Sequence, residues 1–255
     1  MMNSARRYLL IDLLLLLLIE ACTPSPQIPV KTLWFANQTS VGSYCLFVFL
    51  PGRWDSHTDF LTEGFIGSVR ERRLPVDMLA ADLHIGYYRT GSAVERLRDD
   101  IVGPSRKKGY RDIWLIGVSL GALGALSFEA RYPHMISGIV LLGPFLGGRD
   151  LVLEIERAGG VLAWKPGEVA VDDYQRRLWE WVQRYAQSNP KEPPIYLAFG
   201  SNDRLSASQR LLATVLPPGR VATTNGGHDW ETWRPLWHSI LDRLGPELES
   251  CAHAP

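Results

Sequence analysis

The chain has 255 residues, 46% of them hydrophobic and nine of them tryptophan, which suits one domain with a substantial core and excludes disordered or repetitive classes. Lysine plus arginine and aspartate plus glutamate number 27 each, so no net field recommends nucleic acid or another polyanion as a partner. The six histidines are scattered and no cysteine pair has zinc-site spacing, so the sequence calls for no metal.

The first predicted segment is the N-terminus. Arg6 and Arg7 precede an apolar run from Tyr8 to Ile19, broken only by Asp12. At about 1.5 Å per residue that run is short for a bilayer span, and residues 1–21 read as a signal peptide. It ends in Ile19-Glu20-Ala21-Cys22, which resembles a bacterial lipobox with Cys22 as the lipidated residue. Glu20 departs from the small or apolar residue usual there, so ordinary cleavage and an uncleaved anchor stay open as alternatives. Residues 22–30 have the proline and polar content of a tether, and the globular domain runs over 31–255. The expectation is a bacterial cell-envelope protein, held to a membrane by a lipid anchor and facing the periplasm, on the outer membrane in a Gram-negative cell.

Seven strand-like runs follow, bounded by Gly, Pro or charged residues: KTLWFA (31–36), CLFVFL (45–50), VDMLAADL (76–83), DIWLIGV (112–118), ISGIVLLG (136–143), PIYLAFG (194–200) and RVATT (220–224). Several are apolar on both faces, as a parallel sheet covered by helices requires. Between them, Phe60, Leu61, Phe65 and Val69 recur at helical spacing, as do Val94, Leu97 and Ile101, and later Leu236, Ile240, Leu241 and Leu244. This alternation predicts the α/β class, a doubly wound, mostly parallel sheet. Cys45 opens an apolar strand and Cys251 lies in the tail; the favoured reading is two separate thiols, with a single disulfide as the alternative in an oxidising envelope.

Residues 117–121 read GVSLG, at the junction of a strand with a helix that runs to Tyr132-Pro133. A serine at so sharp a turn is held in a strained conformation, and the residues two before and two after it are pressed together, which Gly117 and Gly121 allow. The turn lifts the Ser119 hydroxyl out of the sheet, beside the amide groups of a helix N-terminus.

From about residue 148 to 193 the connection is longer than the others and carries a helix with Tyr174, Leu178, Trp181, Val182 and Tyr185 on one face. It reads as a small helical cap over the carboxyl ends of the strands, with an ordinary packing helix as the alternative. Asp203, in LAFGSNDRL, follows the next strand, and His228, in TTNGGHDW, follows the last. A serine hydroxyl needs a base to become a nucleophile, and His228 is the histidine that a loop can bring back over the sheet edge. His57 and His84 precede the serine, His134 lies beyond the far end of its helix, His238 is inside a helix and His253 is in the tail. Asp203 is the carboxylate expected to orient the imidazole; Asp229 is adjacent to the histidine, and Asp172 and Asp173 suit the start of the cap helix.

These segments, IGVSLGALGAL, RYPHMISGIVLLGP, FGSND and GGHDWETWRP, resemble the nucleophile elbow, next strand, acid loop and histidine loop of the α/β-hydrolase superfamily, over roughly residues 45–245. The esterase and lipase branch is the most similar, and GGHDW with a further Trp three positions on resembles esterases of the feruloyl, S-formylglutathione and mycolyltransferase-like group. The resemblance implies acyl transfer to water or an alcohol through Ser119, Asp203 and His228, with a small-molecule ester as substrate and no cofactor. It also implies an oxyanion hole from the backbone amides of Leu120 and of Arg53 in FLPGRWD, where Pro51 replaces the family's common histidine. The short stretch before residue 45 implies that at least one leading antiparallel strand is missing. Of the aromatics Trp54, Tyr87, Tyr88, Trp164, Trp179, Trp181 and Trp230, two or three are expected at a site and the rest in packing. An acyltransferase, or an inactive hydrolase fold serving as a binding lipoprotein, are the rival functions.

Overall fold

Residues 24–39, 43–187 and 192–252 are described by a computed structural model, so the signal segment and Cys22 lie outside the described residues. Seven strands form one sheet: β1 (Thr32–Phe35), β2 (Cys45–Leu50), β3 (Val76–Ala81), β4 (Asp112–Val118), β5 (Gly138–Leu142), β6 (Ile195–Gly200) and β7 (Val221–Thr224). Their order is β1-β3-β2-β4-β5-β6-β7, with β1 antiparallel to β3 and every other pairing parallel. The fold is therefore an α/β sheet whose strand order reverses around β2 and β4, and this places the carboxyl ends of the inner strands along one rim.

Alternation along each strand sorts the core into two layers. From β4, Ile113 and Leu115 face one layer, which also holds Leu123 and Leu126 of α6 (Leu120–Arg131), Leu151 of α7 (Arg149–Arg157), Leu178 of α8 (Tyr174–Gln187) and Leu212 of α9 (Ser206–Ala213). Trp114, Ile116 and Val118 face the other. That layer holds Phe60 of α1 (Asp59–Thr62), Phe65 and Val69 of α2 (Phe65–Glu71), and Trp237 and Ile240 of α10 (Trp230–Leu244). α1 and α2 are separate helices because Gly64 between them takes φ 79°. Leu61, which shares the helical spacing, faces solvent. The remaining helices are α3 (Ile85–Arg89), α4 (Ala93–Arg96) and α5 (Gly103–Lys107), with a π-helical turn at Leu97–Val102 joining the last two.

The long connection carries two helices where the sequence suggested one. α7 precedes the loop holding Trp164, and α8 turns Leu178, Trp179, Trp181 and Val182 into the layer of α6. Trp179 donates its indole N–H to the Leu146 carbonyl (2.7 Å) and Trp164 to the Glu154 carboxylate (2.9 Å), so both serve packing. No helix among the described residues is long and apolar enough to cross a membrane. Tyr87 exchanges hydrogen bonds with the Gln27 backbone (2.9 and 2.8 Å), which holds the end of the predicted tether against the domain.

The expectation of two separate thiols is corrected: Cys45 and Cys251 form a disulfide with Cα atoms 5.2 Å apart. The cause is nonlocal. The 3₁₀ segment Gly245–Ala252 after α10 folds back across the start of β2, where the Tyr44 amide donates to the Cys251 carbonyl (3.3 Å), and both cysteines are fully buried. The bond closes a loop spanning 206 positions. Removing it, as in Cys251→Ala, should cost about 2–5 kcal/mol, read as a lower guanidinium midpoint.

Glu129, near the end of α6, is almost fully buried and accepts a hydrogen bond from the His134 amide (2.9 Å). Burial pushes its carboxyl up to about 7 from the ordinary 4.5, with the His134 hydrogen bond and ring opposing and Glu192 adding to the rise. The folded state therefore holds a proton that the unfolded chain has released between those two values. Stability from this group is intact at lower pH and falls as pH rises through the window, by on the order of 3 kcal/mol. Glu129→Gln should flatten that decline, so that at pH 8 the variant has the higher Tm.

Candidate active site

Ser119 sits between β4 and α6 with φ 51° and ψ −108°, a conformation that side-chain-bearing residues rarely adopt. Its amide donates to the Leu142 carbonyl on β5 (2.9 Å), and its carbonyl accepts from the Phe145 amide (3.1 Å), so the neighbouring strand end holds the turn. The flanking glycines are required sterically. A side chain at Gly117 would strike the Gly121 carbonyl carbon at 2.5 Å, and one at Gly121 would strike the Pro51 carbonyl oxygen at 2.7 Å. The second contact shows that the loop after β2 lies directly against the start of α6.

His228 reaches the same point from the loop between β7 and α10. Its Nε2 lies 2.9 Å from Ser119 Oγ and its Nδ1 lies 2.7 Å from Asp203 Oδ2. Asp203 comes from the turn after β6 and is 2% exposed. Burial alone would raise its carboxyl, but hydrogen bonds from His228, the Leu205 amide (2.8 Å) and Gln209 Nε2 (3.1 Å) hold it below the usual carboxylate range. An ionised carboxylate only accepts, so in the neutral imidazole Nδ1 carries the proton and Nε2 is left to accept the Ser119 hydroxyl. Three groups separated widely in the chain thus form one continuous hydrogen-bonded relay at the carboxyl ends of the strands.

The other site residues expected from the sequence fall around this relay. Leu120 is the first residue of α6, and Arg53 lies in the turn closed by the Asp55 amide and the Gly52 carbonyl (3.4 Å). That turn is pressed on the serine, since a side chain at Gly52 would touch Ser119 Cβ at 3.4 Å. The Arg53 guanidinium stacks over Trp54, 4.8 Å from the ring centre, and Trp54 is itself exposed. Of the remaining histidines, buried His57 faces Asp82 (Nδ1 to Oδ1 3.2 Å), His84 accepts the Gly86 amide at the start of α3 (3.1 Å), and His238 meets Ser68 (2.9 Å). Asp229 accepts the Thr232 amide (2.8 Å) as the N-cap of α10.

Three residues support the relay, of which only Trp233 was marked in the sequence, as the further tryptophan after GGHDW. Gln209, fully buried on α9, bonds both Asp203 and the Pro144 carbonyl (3.3 Å). Trp233 packs edge-on against the His228 ring, centroids 5.0 Å apart. Asp55 accepts the Trp230 indole N–H (3.1 Å) and so ties the turn beside Ser119 to the histidine loop; burial pushes its carboxyl up, against that hydrogen bond. Trp233 had a signal, the second tryptophan three positions beyond the first, whereas Gln209 and Asp55 had none.

No protein-family model matches the sequence, and no curated protein matches it. Solved structures do resemble it. A ferulic acid esterase is 15% identical with a TM-score of 0.60, covering 86% of this chain and 94% of that one. Est1E from Butyrivibrio proteoclasticus is 16% identical with a TM-score of 0.60, covering 87% and 97%. An α/β hydrolase enzyme, MGS-MChE2, from a sediment metagenome of the Mar Chica lagoon is 18% identical with a TM-score of 0.54, covering 88% and 97%. Identities this low speak for the fold: the chain has the α/β-hydrolase fold.

Proposed function

We propose that the protein is a serine carboxylesterase working through an acyl-enzyme on Ser119. The observation that carries this reading is the relay from Ser119 through His228 to a buried, ionised Asp203, at 2.9 and 2.7 Å. Ser119 Oγ attacks the ester carbonyl as His228 Nε2 takes its proton, and Asp203 stabilises the resulting imidazolium. The oxyanion that forms is held by the Leu120 amide, at the positive end of α6, and by the Arg53 amide of the turn packed on Ser119. His228 then protonates the leaving alcohol; in the second step it takes a proton from water as the water oxygen attacks the acyl carbon, and it returns that proton to Ser119 Oγ as the bond to the serine breaks and the carboxylic acid departs. The fold likeness to a ferulic acid esterase and to Est1E supports an ester as the substrate class.

The proposal extends to location: an N-terminal lipid on Cys22 anchors the domain to a membrane of the bacterial envelope, facing the periplasm. The Cys45–Cys251 disulfide suits such an oxidising compartment.

Labelling with a fluorophosphonate tests the reading. The expected result is one adduct, mapped by mass spectrometry to Ser119, together with hydrolysis of short-chain chromogenic esters. A folded protein that takes no label and cleaves no ester would mark an inactive hydrolase fold. Esters formed with added acceptor alcohols, in place of free acid, would mark an acyltransferase.

A further inference from the structure

A cavity of about 620 Å³ opens along α6, the helix that follows Ser119, and is within the range of about 300 to 1,000 Å³ typical of small-molecule sites. Its inner wall is apolar, formed by Ile85, Tyr88, Val94, Leu120 and Leu123, and Leu120 directly follows Ser119. The cavity is therefore bordered by the residue next in the chain to the proposed nucleophile. Its outer end differs in character. Arg131, at the end of α6, and Arg177, in the first turn of α8, both border it. A second cleft of about 360 Å³ shares those two arginines with Ser127 and Tyr174, and adds Arg184. The two cavities thus adjoin at Arg131 and Arg177, and the groove along α6 runs from an apolar part to those guanidinium groups.

The charges in this groove are not internally balanced. Neither Arg131 nor Arg177 is in an ion pair among the described residues; Arg177 Nη1 donates to the Val171 carbonyl (2.8 Å) and the Arg131 guanidinium lies 6.0 Å from the Tyr132 ring centre. Two carboxylates line the groove. Glu95 lies in the field of Arg98, and Glu180 lines the outer cleft together with three arginines. Arg131 and Arg177 are exposed, so each keeps donors free for a ligand.

We infer that this groove is the specificity subsite of the proposed esterase and takes an anionic amphiphile: an ester whose apolar arm lies along Leu120 and Leu123 and ends in a carboxylate or phosphate between Arg131 and Arg177. The inference rests on Ser119 being the nucleophile. A neutral arm would fill the apolar part and leave the guanidinium cluster unpaired, and a cationic arm would be repelled by it.

The test uses octyl phosphate, octanoate, octanol and octylammonium as probes. Each is measured as a competitive inhibitor of 4-nitrophenyl acetate hydrolysis by the full chain, and octyl phosphate is also titrated calorimetrically into Ser119→Ala. The two anions should bind at least about tenfold tighter than octanol, and octylammonium weakest. In Arg131→Ala/Arg177→Ala, with circular dichroism as the folding control, the preference of octyl phosphate over octanol should fall about tenfold, and Arg131→Lys/Arg177→Lys should keep part of it. Phosphate bound better than carboxylate would identify the terminal anion, and the reverse likewise. Equal binding of charged and neutral probes, or a preference unchanged in the alanine variant, would overturn the subsite while leaving Ser119-dependent hydrolysis intact. Arginine-dependent binding of octyl phosphate by a chain that cleaves no ester would instead overturn the esterase reading, and with it the claim that the ligand is an ester.

Discussion

Replacing Ser119 with alanine should lower turnover of a short-chain chromogenic ester by about 10⁴-fold or more while the protein stays folded. The size of the loss follows from what the hydroxyl does. Without Oγ no acyl-enzyme forms, and only whatever the oxyanion donors and substrate binding contribute to direct attack by water remains. The fold should tolerate the change because the backbone, not the hydroxyl, holds the turn: the Ser119 amide and carbonyl bond Leu142 and Phe145, and the flanking glycines supply the space. Ester turnover within tenfold of the parent in a folded Ser119→Ala protein would defeat the mechanism.

Asp203→Asn should lower kcat by about 10⁴-fold with little change in KM. The carboxamide is close to isosteric, so packing survives, but it can present an N–H where Asp203 Oδ2 now accepts from His228 Nδ1 at 2.7 Å. The imidazole then has to accept at Nδ1 and carry its proton on Nε2, which faces Ser119 Oγ at 2.9 Å. In that tautomer Nε2 cannot take the serine proton. The Leu205 amide reinforces the effect, because it donates to Asp203 Oδ1 (2.8 Å) and so favours the carboxamide oxygen on that side and its nitrogen toward His228. A variant that binds substrate normally but turns over slowly supports a positioning role for the carboxylate; unchanged kcat would show that the imidazole does not depend on Asp203.

Much of this architecture is local in origin, and local features are what a sequence displays. CLFVFL and DIWLIGV are buried on both sides of the sheet, so their apolar runs are nearly unbroken, and β2 and β4 occupy those runs over Cys45–Leu50 and Asp112–Val118. The strained turn at Ser119 is written in its own neighbours, since Gly117 and Gly121 must lack side chains for that turn to close. Where a helix is interrupted, the pattern is less informative: Val94, Leu97 and Ile101 keep helical spacing through a π-helical turn at Leu97–Val102 that the spacing does not reveal.

By itself, then, the sequence determined the alternation of strands and helices, the strained turn that carries Ser119, and the chain order of serine, aspartate and histidine. These depend on residue size, polarity and backbone freedom within a few positions of one another. The tertiary structure alone decided that Cys251 returns to Cys45, that Gln209 and Trp233 brace the relay, that Asp55 ties two loops together, and that Arg131 and Arg177 meet at one end of a groove. The physical reason is that each of these contacts is set by how elements pack around the sheet, whether the partners lie far apart in the chain, as Cys45 and Cys251 do, or only a few positions apart, as His228 and Trp233 do, and residue size and polarity along one segment do not encode that packing.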